Sequence, residues 1–187
     1  MTRIIRGALA ICASVAVMAA GVTTAHAEEA PPLPEVPGET VVQLEASDSG
    51  ACLGIPSKEI KNGARAGLGL CNADTKNTQW RVVPADGFSF EVRSVPSSRC
   101  LEVENSGTQV GAAVQIWDCT GGKQMRWQLV LVDHARKLFQ LRPMHREDRC
   151  LDVINGELSP GAKAQQWYCN QTNAQLWKIK PVNGSEL

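Results

Sequence analysis

Towards the end of this chain an acid, an amide and an aromatic ring stand at spacings that put them on one surface. Asp152 follows Cys150 by two residues, and Gln165 and Trp167 precede Cys169 by four and two. In extended chain, side chains alternate between faces, so Gln165 and Trp167 point the same way. A carboxylate and an amide at fixed separation can bind neighbouring hydroxyls. A ring beside them can cover an apolar face of C–H groups. The set therefore suits non-covalent capture of a hydroxylated ring. It does not suit glycoside hydrolysis, which needs two placed carboxylates across a cleft, because no acid pair recurs with a suitable partner. His134 and His145 sit in no metal-ligand or nucleophile pattern and read as solvated loop residues. The expectation is a chain with no catalytic residue, no metal and no cofactor.

The same positions can be followed through two earlier copies. Cysteines are separated by 19 positions three times: Cys52 and Cys71, Cys100 and Cys119, Cys150 and Cys169. Cys-Leu opens each copy. Gly63-Ala64, Gly111-Ala112 and Gly161-Ala162 begin eight residues before each second cysteine, and Trp80, Trp127 and Trp177 follow it by nine, eight and eight. Such recurrence is an internal repeat. The second copy keeps Gln115 and Trp117 but carries Glu102 for the aspartate, and the longer side chain is expected to misplace the carboxylate. The first copy has Gly54, Gly67 and Gly69 at the acid, amide and ring positions, so its site reads as lost. The tryptophan after the second cysteine is kept even there, which marks Trp80, Trp127 and Trp177 as core.

These residues must be held by short strands. Each copy opens with an alternating run: VVQLEA (41–46), FSFEVRSV (88–95) and LFQLRPM (138–144). The Cys-Leu segment is the second strand. The run into the second cysteine (GLGLC, VQIWDC, AQQWYC) is the third, and the stretch around the last tryptophan is the fourth. Alternation broken by Gly, Pro, Asn and Ser is the strand signature, and no sustained helical period competes with it. Twelve short strands are expected, packed around a shared axis. In the third copy Trp167 should face outward, because Val114 and Ile116 occupy the opposite, core-like face in the second. Pairing within each unit (Cys52–Cys71, Cys100–Cys119, Cys150–Cys169) treats all three copies alike without crossing between them. Each bridge would close a loop of about 20 residues, worth about 3 kcal/mol by chain entropy.

The ends and the charge set the setting. Arg3 and Arg6, an apolar run from Gly7 to about Val22 and the small-x-small Ala25-His26-Ala27 form a secretory leader over 1–27. The run is short for a membrane span, which needs roughly 20 residues. Residues 28–38 (EEAPPLPEVPG) read as a Pro-rich tether. The leader takes two of the 19 basic residues and no acid, leaving 17 basic against 19 acidic groups. That balance argues against a nucleic-acid partner.

Cys-Leu-Asp-Val, Gly-Ala with Gln-x-Trp-x-Cys, and Gln-Leu-Trp together resemble the ricin B-type lectin family, over roughly residues 40–181. The resemblance implies a β-trefoil over 39–187, an all-β fold of three four-stranded repeats. It also implies that Asp152 binds hydroxyls, with Gln165 as the amide, Trp167 as the stacking ring and Gln175 as the Gln-x-Trp glutamine. The family often has Asn before that glutamine, where this chain has Ala174; Asn173 is adjacent but out of register. Gln124 stands at the Asn position of the second copy, whose Gln-x-Trp has become Met125-Arg126-Trp127. Gln166 stands where the family is apolar. The implied function is that of a secreted, extracellular lectin for galactosyl- or xylan-like glycans, through shallow sites mainly in the third repeat. Its partner would be a polysaccharide or a cell-surface glycoconjugate. The alternative is a protein-binding trefoil, an inhibitor or toxin subunit, using loops such as 55–62, 103–109 and 154–160.

Overall fold

The structure, a computed structural model, describes residues 40–56 and 60–182; the expected leader and tether lie outside them. The first repeat forms β1 (Thr40–Ala46), β2 (Ala51–Gly54), β3 (Ala64–Arg65), β4 (Gly67–Leu70) and β5 (Trp80–Pro84). The second forms β6 (Phe90–Ser94), β7 (Cys100–Val103), β8 (Val114–Trp117) and β9 (Arg126–Asp133). The third forms β10 (Leu138–Pro143), β11 (Arg149–Val153), β12 (Ala164–Tyr168) and β13 (Trp177–Pro181). Four strands per repeat are as expected, with one departure. The third strand of the first repeat is split, because the chain changes partner from β8 to β2 near Ala66. There the Leu68 N–H donates to the Ala162 carbonyl at 2.8 Å. Gly67 permits the approach, since a Cβ at that position would lie 2.5 Å from the same oxygen.

The outer strands of the repeats close into a ring. β1 pairs with β5, β5 with β6, β6 with β9, β9 with β10, β10 with β13, and β13 with β1. A closed ring leaves no free edge for another chain to extend. The middle strands form three hairpins, β2/β4, β7/β8 and β11/β12. A six-stranded barrel with three hairpins, in three like units, is a β-trefoil. Among the described residues, no helix is long and apolar enough to cross a membrane.

The recurring tryptophans and Cys-Leu pairs belong to one device. Trp80, Trp127 and Trp177 are fully buried. Their indole N–H groups donate to the carbonyls of Leu53 (2.8 Å), Leu101 (2.9 Å) and Leu151 (3.3 Å). Each bond ties the last strand of a repeat to its own hairpin and satisfies the polar edge of a buried ring. Leu53, Leu101 and Leu151 are themselves fully buried, each worth about 1.5–3 kcal/mol of transfer from water. The three disulfides join Cys52 to Cys71, Cys100 to Cys119 and Cys150 to Cys169, the pairing that equal spacing predicts.

Candidate functional site

The third repeat brings its acid, amide and ring together. β11 and β12 pair so that Asp152 lies opposite Gln165, and Cys150 opposite Trp167. The Gln165 Nε2 donates to Asp152 Oδ1 at 2.8 Å. The Gln175 Nε2 donates to Asp152 Oδ2 at 3.0 Å and to the Tyr168 carbonyl at 2.8 Å. The Gln175 Oε1 accepts the Asn170 N–H at 2.8 Å. Two amides therefore hold one carboxylate, one on each oxygen. Burial pushes the Asp152 carboxyl above its ordinary value, and the bonds from Gln165 and Gln175 oppose that push. A carboxylate gripped this way keeps lone pairs for hydroxyl donors in front of it.

A groove of about 470 Å³ opens onto this carboxylate. Trp167, 38% exposed, forms one wall. Ile154, Asn155, Asn170 and Asn173 line the rest. Asn155 has φ 58°, a left-handed conformation that asparagine tolerates better than most residues. Gln175 is fully buried behind Asp152, so it sets the carboxylate and does not face the groove. Asn173, out of register in the sequence, is nonetheless in the wall.

The second repeat repeats the plan with one part changed. Glu102 lies opposite Gln115 across β7 and β8, and the Gln115 Nε2 donates to Glu102 Oε1 at 2.9 Å. The extra methylene thus does not break the acid–amide pair. The missing piece is the second clamp, because Met125 stands where Gln175 does. Its Sδ takes the Thr120 N–H at 3.4 Å, the bond that Gln175 takes from Asn170, but a thioether has no proton for the carboxylate. The groove in front of Glu102 is about 230 Å³, with Trp117, Asn105 and Gln124 in its wall.

The Gly-Ala turns have a place in both grooves. Gly111 and Gly63 have φ of 80° and 83°. A Cβ at Gly111 would lie 3.9 Å from the Trp167 ring, and one at Gly63 would lie 3.9 Å from the Trp117 ring. Each exposed ring therefore rests beside the turn of the preceding repeat. At Gly161 nothing lies within 4 Å of that point, because Gly69 stands where a third ring would come from.

At the equivalent place of the first repeat the strand and the following turn lie close together. The turn Lys76–Thr78 closes onto β2, where the Ile55 N–H donates to the Asn77 carbonyl at 3.0 Å. A Cβ on Gly54 would lie 2.5 Å from that carbonyl oxygen and 2.9 Å from the Thr78 methyl.

Two polar residues differ from expectation. Gln166 is fully buried at the apolar position, and its Nε2 donates to the carbonyls of Gly107 (2.7 Å) and Gln109 (2.8 Å). It thereby pins the loop that follows Asn105 and Ser106 at the second groove. His145 is not a free loop residue. It is half-buried, with Nε2 2.9 Å from the same Gly107 carbonyl.

Residues 88–185 match the model of the ricin-type β-trefoil lectin domain, and residues 35–117 match that of the ricin-type β-trefoil lectin domain-like family. Among solved structures, ThreeFoil, a designed threefold symmetric protein, is 28% identical with a TM-score of 0.69, over 75% of this chain and 97% of that one. A ricin B-like lectin of Macrolepiota procera, solved in complex with lactose, is 19% identical with a TM-score of 0.65, over 79% and 99%. An exo-β-1,3-galactanase from Clostridium thermocellum is 22% identical with a TM-score of 0.70; the match covers 80% of this chain and 31% of the galactanase.

Proposed function

The chain belongs to the ricin-type β-trefoil lectin family, and from that premise we propose that it is an exported carbohydrate-binding protein with its main site in the third repeat. The observation that carries this reading is the carboxylate of Asp152, held by Gln165 and Gln175 at the back of the larger groove beside the exposed ring of Trp167. A pyranose offers the complement: a C–H face for the ring and adjacent hydroxyls for the acid. Galactosyl- or xylan-like glycans are the proposed ligands. The groove is shallow, so one site binds in roughly the millimolar to micromolar range, and the second groove adds avidity on a polymer. Glu102, Gln115, Trp117 and Gln124 are the proposed contributors there. Three disulfides support export, since they persist in oxidising compartments; residues 1–27 are the proposed leader and 28–38 the tether.

The disulfide-bonded protein should be retained on immobilised lactose or on xylan. Asp152→Ala should weaken that retention by about tenfold or more, the worth of a hydrogen bond to a charged group, and Trp167→Ala should weaken it by removing the ring that covers the C–H face. No binding by the wild-type protein across a glycan array overturns the reading.

A further inference from the structure

One wall of the third groove carries a residue whose covalent structure can change unaided. Asn155 precedes Gly156, and both are exposed in the turn Ile154–Gly156 that lines the groove. The side-chain amide of an asparagine can be attacked by the backbone nitrogen of the next residue. Glycine hinders this least, because it has no Cβ and the widest backbone freedom. The sequence holds the pair at Asn62-Gly63, Asn155-Gly156 and Asn183-Gly184; the last lies outside the described residues. Structure separates the other two. At Asn62 both ends of the amide are held: Nδ2 donates to Asp118 Oδ2 at 2.8 Å, and Oδ1 accepts from Arg99 Nε at 2.6 Å. The attacking nitrogen is held as well, since the Gly63 N–H donates to the Ile116 carbonyl at 3.0 Å. The Asn155 side chain has no hydrogen-bond partner among the described residues. A Cβ at Gly156 would meet nothing within 4 Å, so the space around that residue is open. Ring closure requires ψ of Asn155 to leave its 8°. The bond that closes the turn, from the Glu157 N–H to the Ile154 carbonyl, is 3.3 Å long, and short 3-10 turns hold their shape weakly.

We propose that Asn155 is a site of spontaneous deamidation and that its conversion weakens the third groove as the protein ages. The Gly156 nitrogen attacks Asn155 Cγ and gives up its proton, the C–N bond of the side-chain amide breaks, and ammonia leaves. Water then opens the five-membered imide at one of its two carbonyls. One product has aspartate at position 155. The other has isoaspartate, in which the main chain runs through the former side chain. Each carries a carboxylate where the amide was neutral, in the same groove as Asp152. Two like charges there repel, and isoaspartate also shifts the wall by one extra methylene in the main chain. The effect on binding rests on the lectin reading of this groove; the modification itself does not. In the second repeat the equivalent residue is Asn105, also with positive φ, 55°, but it precedes Ser106. The serine Cβ hinders the same attack, so the smaller groove outlasts the larger.

The test is ageing of the disulfide-bonded chain in mildly alkaline buffer, followed by peptide mapping in a mass spectrometer and by isoaspartyl methyltransferase labelling. Asn155 should convert at least about tenfold faster than Asn62, because releasing one charge-assisted hydrogen bond already costs that much in rate. In a chain reduced and unfolded beforehand, the two should convert at similar rates, since the fold sets the difference. Equal rates at Asn62 and Asn155 in the folded chain, or no conversion of Asn155, overturn the site. Affinity for lactose or xylobiose, measured by calorimetry, should fall as the converted fraction rises. Asn155→Asp should show the loss before any ageing, about threefold or more, the repulsion of two charges a few ångströms apart in water. Asn155→Gly suits the positive φ and removes the reactive amide, so its affinity, whatever its fresh value, should not fall with age. Equal loss in aged Asn155→Gly and aged wild-type protein overturns the link to binding, as does unaltered affinity in Asn155→Asp. If the fresh wild-type chain binds neither sugar while Asn155 converts, the lectin reading fails for these ligands and the modification site stands.

Discussion

The first and third repeats share a scaffold and differ in the space in front of it. Both have the disulfide, the buried tryptophan and its bond to the Cys-Leu carbonyl. In the third, Gln175 of the turn after the second cysteine bonds Asp152, and a groove opens before that carboxylate. In the first, that turn lies against Gly54, with Asn77 and Thr78 in the space a side chain would need. Thr78 is not idle there: its Oγ1 accepts from Gln43 Nε2 at 2.8 Å, and the same amide donates to the Asn72 carbonyl at 3.0 Å. At Gly54 the turn packs directly on the strand. Gly54 has no Cβ, and that is what admits the turn so close to β2.

Replacing Gly54 by Asp is the hardest test of this comparison. If the first repeat had merely lost its acid, Gly54→Asp would be tolerated and would begin to restore a site. Against this close turn, the new Cβ meets a backbone oxygen at 2.5 Å and the Thr78 methyl at 2.9 Å, and the carboxylate enters space already filled. Overpacking and unpaired polar burial together should cost about 3 kcal/mol or more. Denaturant unfolding should show a lower midpoint, and sugar binding should not rise. A variant of wild-type stability would mean that the turn opens readily and that the first repeat is a latent site.

Much of this could be read from residue order, and the exceptions have a common cause. Strands and disulfides are legible because period-two alternation and equal cysteine spacing are local signals. The Asp152–Gln165 pair is legible because the two flank one hairpin. The close turn of the first repeat left only a faint trace, the nine-residue step from Cys71 to Trp80 where the other repeats have eight. That extra residue lies in the segment whose turn moves in. Gln166 and Asn173 were opaque because their partners lie in other repeats: Gly107 and Gln109 for one, Ser47 for the other. Register predicted from one strand says nothing about a neighbour some 60 or 126 positions away. Asn173 also sits in a tight 3-10 turn, where three residues complete a circuit, so strand register does not carry into it.

Acidification probes the third groove with the first as its control. Burial holds the Asp152 carboxyl above its ordinary value of 3.8, so it takes up a proton before an exposed aspartate would. Sugar binding needs the carboxylate as acceptor. Affinity should therefore fall as pH drops through a midpoint above 3.8, while the fold persists. Stability runs the other way. The native state holds this proton more tightly than the unfolded chain, so the contribution of Asp152 to stability declines as pH rises from 3.8 through the folded value. Titrating affinity by calorimetry against pH tests the first statement, and Asp152→Asn should bind weakly at every pH with no such midpoint. A midpoint at or below 3.8 would show that the carboxylate is not desolvated in the free protein.

The second repeat lies between these cases, and its Met125 allows the comparison to be sharpened by a gain. Glu102 already reaches Gln115, so the acid and the first clamp are in place. Met125→Gln introduces an unbranched side chain of similar length at a buried position. Its amide can keep the Thr120 N–H that the Met125 sulfur now takes and donate to the free oxygen of Glu102, as Gln175 does for Asp152. In an Asp152→Ala background, where the third groove is silent, this should raise the remaining affinity by about fivefold, one hydrogen bond to a charged group offset by the burial of an amide. If stability is kept and affinity does not rise, Glu102 itself is the limit, and adding Glu102→Asp to Met125→Gln should then release the gain. If stability falls by about 1–3 kcal/mol, the amide has been buried without its partners. In that case the second repeat, like the first, has repacked its turn around the residue it now carries.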